Sequence, residues 1–383
     1  MKKKIKHIIL VYEHIPGFAH TNRVLAYAKG YRELGLRVSV VCSSSSRYPS
    51  YILEGIDVHF CQEPNSRCKA YNVLSSYNKV IKSLKRLYNK DESVIHVYST
   101  PTPLWISLLN KRKYDYFLEM TEIPFAVTNP SFYRRVQINL GEYKTKRCTG
   151  LLVITGSLKD YYLKHGVENV AVVNMFVDSS RFDISTEPSE NYIAYCGMVS
   201  RYKDGVDVLI KSFSKFVLQH KDYKLKLAGA FASAEDEIYL RELVQKLGLD
   251  DSVDFLGMIS AAEMPRFLKN SSILALARPN NPQSQYGFPT KLGEYLSTGR
   301  PCVITRVGEL DQYLSDYETC VFAMPDDDKD FAEKLNWVAD NYEKAKVIGC
   351  NGKKLAEKEF SYIHESEKAL NFFKITVNKC QKF

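Results

Sequence analysis

The sequence predicts an α/β protein built from two doubly wound, parallel-sheet domains. Its 383 residues, 45% of them hydrophobic, exceed what one hydrophobic core usually holds, so two domains are expected. Short apolar runs of strand length alternate with stretches of helical spacing, as in parallel sheets that are buried on both faces. The same alternation begins again in the second half of the chain, which predicts a second domain of the same kind.

The first half opens with a strand, a loop, a helix and a second strand. Residues 5–11 are a continuous apolar run, and residues 12–21 form the loop that follows it. Asn22 is expected to cap a helix that ends at Gly35, before a strand over 38–42. Further apolar runs predict strands at 58–60, 94–98, 116–120, 150–154 and 170–173.

The second half repeats this pattern after a linker at about 177–190, whose polar residues 185–190 are the clearest break in the chain. The repeat starts with a strand, a loop, a helix and a strand at 193–196, 197–204, 205–219 and 225–228. Helices at 234–247 and 261–269 and strands at 253–256 and 273–277 follow it. We therefore predict an N-terminal domain over 1–176, a second domain over 177–360, and a C-terminal helix over 361–383 that crosses back to the first.

Charge and composition narrow the classes of function. Residues 1–176 contain 26 Lys and Arg against 13 Asp and Glu, whereas the remainder contains 27 against 31. Without a zinc, helix-turn-helix or RNA-binding signature, this basic half favours an anionic membrane face or a phosphorylated substrate over nucleic acid. No membrane span or secretion signal is predicted. Nine scattered cysteines indicate a reducing cytosol, and neither they nor the eight histidines predict a metal site.

The segment 286–304 reads as a loop, a short helix and a buried strand. Lys291 lies in the first helical turn, where the helix dipole makes a cation mildly unfavourable, so a bound phosphate would compensate. Glu294 lies one turn further on, where its carboxylate could accept both hydroxyls of a ribose diol. The alternative is an amphipathic helix with solvated Lys and Glu side chains.

The first loop of the second domain runs from Gly197 to Gly205 and places Arg201 and Lys203 just before a helix. Together with Lys291, it predicts cations from two loops at one edge of one sheet, which suits the two phosphates of a nucleoside diphosphate. The loop lacks the glycines of a Walker loop or a dinucleotide fingerprint. An ordinary strand-to-helix turn with a solvated lysine is the alternative.

Four segments, 174–182, 197–206, 255–260 and 287–296, resemble the motifs of the family-4 retaining glycosyltransferases, in the form found in polysaccharide-building subgroups. The resemblance covers nearly the whole chain. It implies a GT-B fold, in which two Rossmann-like domains face each other across a central cleft. It further implies that Glu294 holds the ribose, that Lys203 holds the diphosphate, and that no metal or other cofactor takes part.

The chain departs from the family pattern at two positions. Tyr286 stands where the family has the first of two paired glutamates, and Met198 stands where an arginine usually follows the loop glycine. The lost phosphate contact is then assigned to Arg201 or Lys291, and the donor sugar is the part of the function most affected. The resemblance implies the donor-binding set Gly197, Arg201, Lys203, Tyr286, Gly287, Phe288, Thr290, Lys291 and Glu294.

The first domain offers acceptor-side candidates. His14, Gly17 and His20 lie in the loop after the first strand, although a loop histidine is often only solvated. Glu119 and Glu122 lie at a strand end, where a carboxylate without a partner would be costly to bury. We select Glu122 over Glu119 and, with Lys203, predict it as catalytic.

Three functions are compatible with these residues. The first is a retaining glycosyltransferase that moves a sugar from a nucleotide-diphosphate sugar to a glycan or lipid-diphosphate-linked glycan in cell-surface polysaccharide biosynthesis. Such an enzyme is expected in the cytoplasm, peripheral on the inner membrane face. The second is a sugar-nucleotide epimerase or a phosphorylase on a similar frame. The third is a non-catalytic sugar-nucleotide-binding partner, which the missing glutamate at Tyr286 leaves open.

Overall fold

The structure, a computed structural model, describes residues 3–13, 19–44, 56–62, 67, 69–98, 113–123, 143, 145–186 and 191–380. The chain divides into two compact units. The first contains Met1–Phe176 and Tyr362–Phe383, and the second contains Val177–Ser361.

The described strands of the first unit form one parallel sheet in the order β3-β2-β1-β4-β5-β6-β7. In chain order they are β1 (His7–Glu13), β2 (Arg37–Ser44), β3 (Asp57–Gln62), β4 (Ser93–Tyr98), β5 (Tyr116–Met120), β6 (Gly150–Val153) and β7 (Val170–Val172). The strand order reverses between β1 and β4, which makes the sheet doubly wound. The central strand β4 is buried along its whole length, as its apolar sequence predicts.

The second unit repeats this winding in a parallel sheet of order β10-β9-β8-β11-β12-β13. Its strands are β8 (Tyr192–Cys196), β9 (Lys224–Ala228), β10 (Val253–Gly257), β11 (Ile273–Leu276), β12 (Cys302–Thr305) and β13 (Val321–Ala323). The topological switch point lies between β8 and β11, and ligands of such sheets bind at the carboxyl ends of the strands there. The predicted class of two doubly wound Rossmann-like domains is confirmed. Strand β13 was not predicted.

Helices connect these strands. Those named within the described residues of the first unit are Ala19–Glu33, Lys69–Leu87, Gly156–Lys164 and the C-terminal Tyr362–Cys380. Those of the second are Arg201–Asp204, Val206–Phe216, Ala234–Lys246, Met264–Asn270, Pro282–Tyr286, Lys291–Ser297, Asp328–Asp340 and Tyr342–Glu359. The first helix begins at Ala19, so the predicted cap at Asn22 is wrong. Thr21 and Arg23 are buried in that first turn, and such tertiary packing is invisible to a capping pattern.

The C-terminal helix Tyr362–Cys380 packs against the helix Ala19–Glu33. A Cβ atom on Gly30 would lie 2.3 Å from the Oγ atom of Ser366, so only glycine permits this close crossing. The buried carboxylate of Glu365 accepts a hydrogen bond of 2.8 Å from the backbone N–H of Asn174. The last residues before the passage into the second unit are thereby held by the C-terminal helix.

Two expectations about the whole chain can be compared with its described part. No helix there is long and apolar enough to cross a membrane. Cys42, Cys61, Cys148, Cys196, Cys302 and Cys320 are buried free thiols, and Cys350 is an exposed one. The predicted buried thiols are therefore found, with Cys350 as the exception.

Candidate functional site

The loop after β8 is shaped by glycine at both ends. Gly197 has φ of +139° and Gly205 has φ of +62°, values that L side chains rarely adopt. A Cβ atom on Gly205 would lie 2.0 Å from the carbonyl oxygen of Ala277, the residue after β11. Between the glycines, Ser200 caps the helix Arg201–Asp204 by accepting a hydrogen bond of 3.1 Å from the N–H of Lys203. The loop is therefore packed directly on the strand across the switch point.

Lys291 reaches back to this loop from the start of the helix Lys291–Ser297. Its Nζ atom donates to the Oδ2 atom of Asp204 at 2.5 Å and to the hydroxyl of Tyr195 at 3.1 Å. The same amine occupies the space beside Gly197, where a Cβ atom would come within 2.2 Å of it. The sequence predicted a bound phosphate beside this lysine, and the structure places the carboxylate of Asp204 there.

Asp204 is the functional candidate that sequence reasoning missed. Its side chain is only 3% exposed, and the guanidinium Nε atom of Arg278 lies 3.8 Å from its other oxygen. Burial alone would raise the pKa of the Asp204 carboxyl, but Lys291, Arg278 and the hydrogen bonds from Lys291 and Tyr195 bring it below its ordinary value. Asp204 therefore stays ionised. Its position between the predicted Lys203 and Gly205 was the available signal.

Tyr195 completes this group from within β8. Its hydroxyl lies 2.7 Å from the Oδ2 atom of Asp204 and 2.6 Å from the carbonyl oxygen of Met198, and its one proton can donate to either. Burial, followed by the charge of Asp204, raises the pKa of Tyr195 well above its ordinary value, so the hydroxyl remains a donor. We call Tyr195, Asp204, Arg278 and Lys291 the switch-point group.

Glu294 lies on the same helix as Lys291 and pairs with Arg181. The Nη1 atom of Arg181 is 2.8 Å from the Oε1 atom of Glu294, and both side chains are partly exposed. Arg181 belongs to the short 3₁₀ turn Ser179–Phe182, which the side chain of Asp178 caps. Sequence reasoning placed this turn in a family signature but did not foresee that it orients the predicted ribose carboxylate.

The other predicted residues of the second unit differ in their surroundings. Arg201 is held by the neighbouring helix, with its Nε atom 2.6 Å from Asp236 and its Nη2 atom 3.1 Å from Glu235. Lys203 is half-buried beside it, and its backbone bonds to Ser200. Of the two residues assigned the missing phosphate contact, only Lys291 therefore belongs to the switch-point group.

The segment 286–290 connects two short helices. Tyr286 is half-buried at the end of the helix Pro282–Tyr286. A Cβ atom on Gly287 would lie 2.6 Å from the carbonyl oxygen of Gln283. Phe288 is buried against the rings of Tyr313 and Phe360, which leaves the predicted ligand contact to its backbone. Thr290 is exposed and gives the helix Lys291–Ser297 no side-chain cap.

The segment 255–260, which resembles the family motif on the side of the nucleobase, contains the end of β10. Leu256 and Met258 are 42% and 64% exposed there, on either side of Gly257, which has φ of +65°. Apolar side chains at the carboxyl end of a strand can pack against the face of a base.

The first unit places Glu119 in a buried network. Its Oε1 atom accepts from the Nε atom of Arg23 at 2.6 Å, and its Oε2 atom lies 3.1 Å from the Nε2 atom of His96. Burial alone would raise the pKa of Glu119, but Arg23 and His96 bring it below its ordinary value. The partners that a buried carboxylate requires are thus provided by the protein. Glu122 is exposed beyond the end of β5, and its catalytic role stays a prediction.

Of the three acceptor-side candidates, the structure describes only the backbone of His20. His14 and Gly17 lie outside the described residues. His20 belongs to the helix Ala19–Glu33, but its side chain also lies outside them. In the described ranges, no group of three or more His, Cys, Asp or Glu side chains is arranged to hold a metal ion.

Sequence comparison finds similarity between this chain and glycosyltransferases. Residues 177–355 match the family model described as glycosyl transferases group 1. An uncharacterized glycosyltransferase of Methanocaldococcus jannaschii is 25% identical over 219 residues, which cover 57% of this chain and 57% of that protein. The chain thus matches little more than half the length of this relative.

Solved structures of other proteins superpose on nearly the full length of this chain. Sucrose-phosphate synthase of Thermosynechococcus elongatus superposes with a TM-score of 0.75 at 14% identity, over 97% of this chain and 98% of that one. HepE of Anabaena, solved with UDP-glucose, gives a TM-score of 0.74 at 15% identity, over 95% and 98%. The fold is therefore that of the GT-B glycosyltransferases, as the resemblance implied. Residues 177–355 of this chain are therefore similar to the glycosyl transferases group 1.

Proposed function

We propose that this protein is a retaining glycosyltransferase that moves a sugar from a nucleotide-diphosphate sugar to a glycan or lipid-linked glycan acceptor. The switch-point group carries the proposal, because Lys291 and Arg278 flank the single carboxylate of Asp204. Two cationic side chains are thereby brought to the edge of the sheet where α/β folds bind ligands. The family match over 177–355 and the complex of HepE with UDP-glucose support a nucleotide sugar as the ligand.

Each donor contact has a physical role in this proposal. Glu294 accepts the hydroxyls of the ribose, while Lys203, Lys291 and the backbone of 287–291 bind the diphosphate and the sugar. Cationic side chains placed at the leaving diphosphate stabilise the charge that develops there as the bond to the sugar breaks. The proposed reaction therefore uses no metal cofactor.

Retention follows in this scheme if the acceptor attacks from the face that the diphosphate leaves, so no enzymic nucleophile is required. Glu122, His14, Gly17 and His20 are proposed to lie on the acceptor side, with His20 in the helix Ala19–Glu33 and not in the loop that the sequence predicted. Tyr286 takes the place of a sugar-binding carboxylate, so Tyr286→Ala should change selectivity among donor sugars more than nucleotide affinity. An unchanged donor profile in a competition assay would count against this role.

Incubation with a panel of nucleotide sugars tests the proposed function. A transferase should slowly release a nucleoside diphosphate, and faster release should follow when an acceptor is added. The NMR coupling constant of the anomeric proton should show that the product has the same anomeric configuration as the donor. Inversion of that configuration would refute retention, and the absence of both binding and release would refute the donor site.

The same assay separates the two alternatives. A sugar-nucleotide epimerase would yield a changed sugar on an intact nucleotide. A phosphorylase would yield a sugar phosphate only when a glycan and inorganic phosphate are supplied. A non-catalytic partner would bind the nucleotide sugar and release nothing. The missing glutamate at Tyr286 is the observation that favours this last alternative.

We further propose that the acceptor is anionic, most simply a lipid-diphosphate-linked glycan, and that the enzyme works in the cytoplasm on the inner membrane face in polysaccharide biosynthesis. The basic runs of the first domain include Lys111, Arg112, Lys113, Lys144, Lys146 and Arg147. Of these, Lys113, Lys146 and Arg147 are exposed, and the other three lie outside the described residues. The helix Lys69–Leu87 contains no Asp or Glu. Its exposed cations are Lys79, Lys82, Lys85 and Arg86.

Co-sedimentation with liposomes tests this docking. Each Lys or Arg near an anionic bilayer contributes about 1 kcal/mol, so Lys82→Glu with Lys85→Glu should weaken binding to anionic vesicles by more than tenfold. Lys246→Glu, an exposed position of the second unit, is the matched control and should change little. Binding must also fall as salt rises, because screening acts within roughly 10 Å at 0.1 M salt. Equal behaviour toward neutral and anionic vesicles would rule docking out.

A further inference from the structure

We propose that Asp204 is a positioning residue, which fixes the amine of Lys291 in the loop after β8 so that it can bind a phosphate oxygen of the donor. The inference rests on the proposed function and assigns this part of the site its geometry. It concerns a residue that neither the family resemblance nor the sequence pattern assigned to the donor site.

The hydrogen-bonding capacity of Lys291 is the first step. An ammonium group has three N–H donors. Two of them are committed, one to Asp204 and one to Tyr195, at 2.5 Å and 3.1 Å. Within the described part of the chain, the third makes no hydrogen bond, so the amine is held at two points and keeps one donor for a ligand.

The space around the amine is the second step. Its Nζ atom lies 4.4 Å from the centre of the Tyr195 ring, and a Cβ atom on Gly197 would come within 2.2 Å of it. Because Gly197 has no side chain, the space beside it is available to the amine of Lys291. A side chain that is inserted into such a space and anchored there has already lost the rotamer freedom that a surface lysine must lose on binding.

The charge balance is the third step. Asp204 is nearly fully buried, and a buried carboxylate needs a cationic partner. Lys291 supplies one, and Arg278, whose side chain is 4% exposed, lies 3.8 Å from the second oxygen. Asp204 thus lies between two cationic side chains, so Lys291 is not its only source of compensation. The ammonium of Lys291 can therefore attract a diphosphate while Asp204 anchors it.

A purely structural ion pair would predict something different. If Asp204 only stabilised the loop, its replacement would lower stability and weaken all ligands alike. If it acted only through its charge, its removal would strengthen binding of an anion, since a negative charge would leave the site. Positioning predicts a loss that is confined to ligands with a diphosphate.

Calorimetric titration separates these cases. UDP, GDP, ADP and dTDP are titrated into the full-length chain, and the tightest is compared with its nucleoside. Asp204→Asn should weaken the nucleoside diphosphate about tenfold, because the amine becomes free to move, and should leave the nucleoside unchanged. Lys291→Met should weaken the diphosphate by about 10- to 150-fold, as expected for loss of a charged hydrogen bond.

The double variant supplies the decisive comparison. Asp204→Asn combined with Lys291→Met should be no weaker than Lys291→Met alone, because Asp204 acts only through the lysine. Tyr195→Phe, which removes the second anchor and keeps the ring, should weaken the diphosphate about threefold, a fraction of a charged hydrogen bond. If Asp204→Asn folds poorly, Tyr195→Phe still tests whether anchoring of the Lys291 amine matters for diphosphate binding. Asp207→Asn is the matched control, since it removes an Asp–Lys pair three residues away, to Lys211, and should leave affinity unchanged.

The outcomes are distinct. If the wild-type chain binds no nucleoside diphosphate, the proposed function fails and this inference falls with it. The inference alone is overturned if the wild type binds a nucleoside diphosphate and Asp204→Asn binds it equally well or more tightly. It is also overturned if Asp204→Asn loses affinity for the nucleoside and for the nucleoside diphosphate by the same factor. The same holds if the losses from Asp204→Asn and Lys291→Met simply add.

Discussion

Glu119 in the first unit and Asp204 in the second are both buried carboxylates whose pKa lies below the ordinary value because cations surround them. The cationic partners of the two carboxylates differ in whether they keep an unused N–H donor. Arg23, the main partner of Glu119, also donates to the carbonyl oxygens of Asn174 and Val173 at 2.8 Å and 3.0 Å. Lys291, the main partner of Asp204, is 15% exposed and keeps one donor.

This difference separates a network that holds the fold from one that can recognise a ligand. The Glu119 network is closed, because Arg23 and His96 are nearly fully buried and face each oxygen of the carboxylate. The switch-point group is open, since Lys291 is partly exposed and lies near the carboxyl end of β8. A buried ion pair alone is thus weak evidence of function, whereas a buried pair with an unused donor at a ligand-binding edge is stronger.

Replacement of Glu119 should give the largest effect on stability. Glu119→Gln leaves Arg23 buried without its counter-ion, and loss of one partner of a buried pair costs about 3–5 kcal/mol. Urea unfolding followed by circular dichroism measures the change. Glu122→Gln, the exposed neighbour, is the control and should stay within about 0.5 kcal/mol of wild type. Equal stability of both variants would show that the Glu119 network does not hold the fold.

Replacement of Glu294 should give the next effect, on binding and not on folding. Glu294→Ala removes the carboxylate proposed to hold the ribose, which should weaken a nucleoside diphosphate by about 1–3 kcal/mol. Isothermal titration gives the affinity. Glu318→Ala, an exposed glutamate of the same unit, should bind as the wild type does. An unaltered affinity in Glu294→Ala would remove the ribose role.

Gly197 offers a sharper test of the open network. Gly197→Ala should displace the amine of Lys291, from which its new Cβ atom would be 2.2 Å away, and should weaken diphosphate binding about tenfold. Gly248→Ala is the control, because Gly248 also has a positive φ, +67°, but has nothing within 4 Å of the added atom. Backbone strain should cost Gly248→Ala about 1–2 kcal/mol of stability, and Gly197→Ala should lose more because its φ of +139° lies outside the left-handed helical region. If both bind the diphosphate alike, the space beside Gly197 is not used.

Acid should give the smallest effect, with the same sign in both networks. Because the folded-state pKa of Glu119 and of Asp204 is lowered, each ionised carboxylate stabilises the fold above its ordinary pKa, near 4. That stabilisation is lost as the pH falls through the folded-state pKa. The difference in unfolding free energy between wild type and Asp204→Asn should therefore shrink from about pH 5 downward. A difference that stays constant to about pH 2 would contradict the lowered pKa.

Part of the candidate site was predictable from the sequence. Glycines at 197 and 205 after an apolar strand indicate a loop with unusual backbone angles, and both have positive φ. Lysine at the start of a helix indicated an unmet electrostatic need, and the structure contains an anion beside it. These are local features, which a short stretch of chain specifies by itself.

The identity of the anion was decided only by the tertiary structure. Asp204 and Lys291 are 87 residues apart, and Arg23 and Glu119 are 96 apart, so no local pattern links them. They meet because parallel strands with crossover connections bring elements that are distant in the sequence side by side.

The sequence by itself determined the two doubly wound sheets, because apolar runs and helical spacing record burial at every strand and helix. It did not determine that Glu119 is closed in a structural network while Asp204 lies beside a lysine with a donor to spare. Which charged groups become partners depends on side chains that approach within 3 Å after the sheets form, as Lys291 and Asp204 do at 2.5 Å. That proximity arises only when the whole unit has folded.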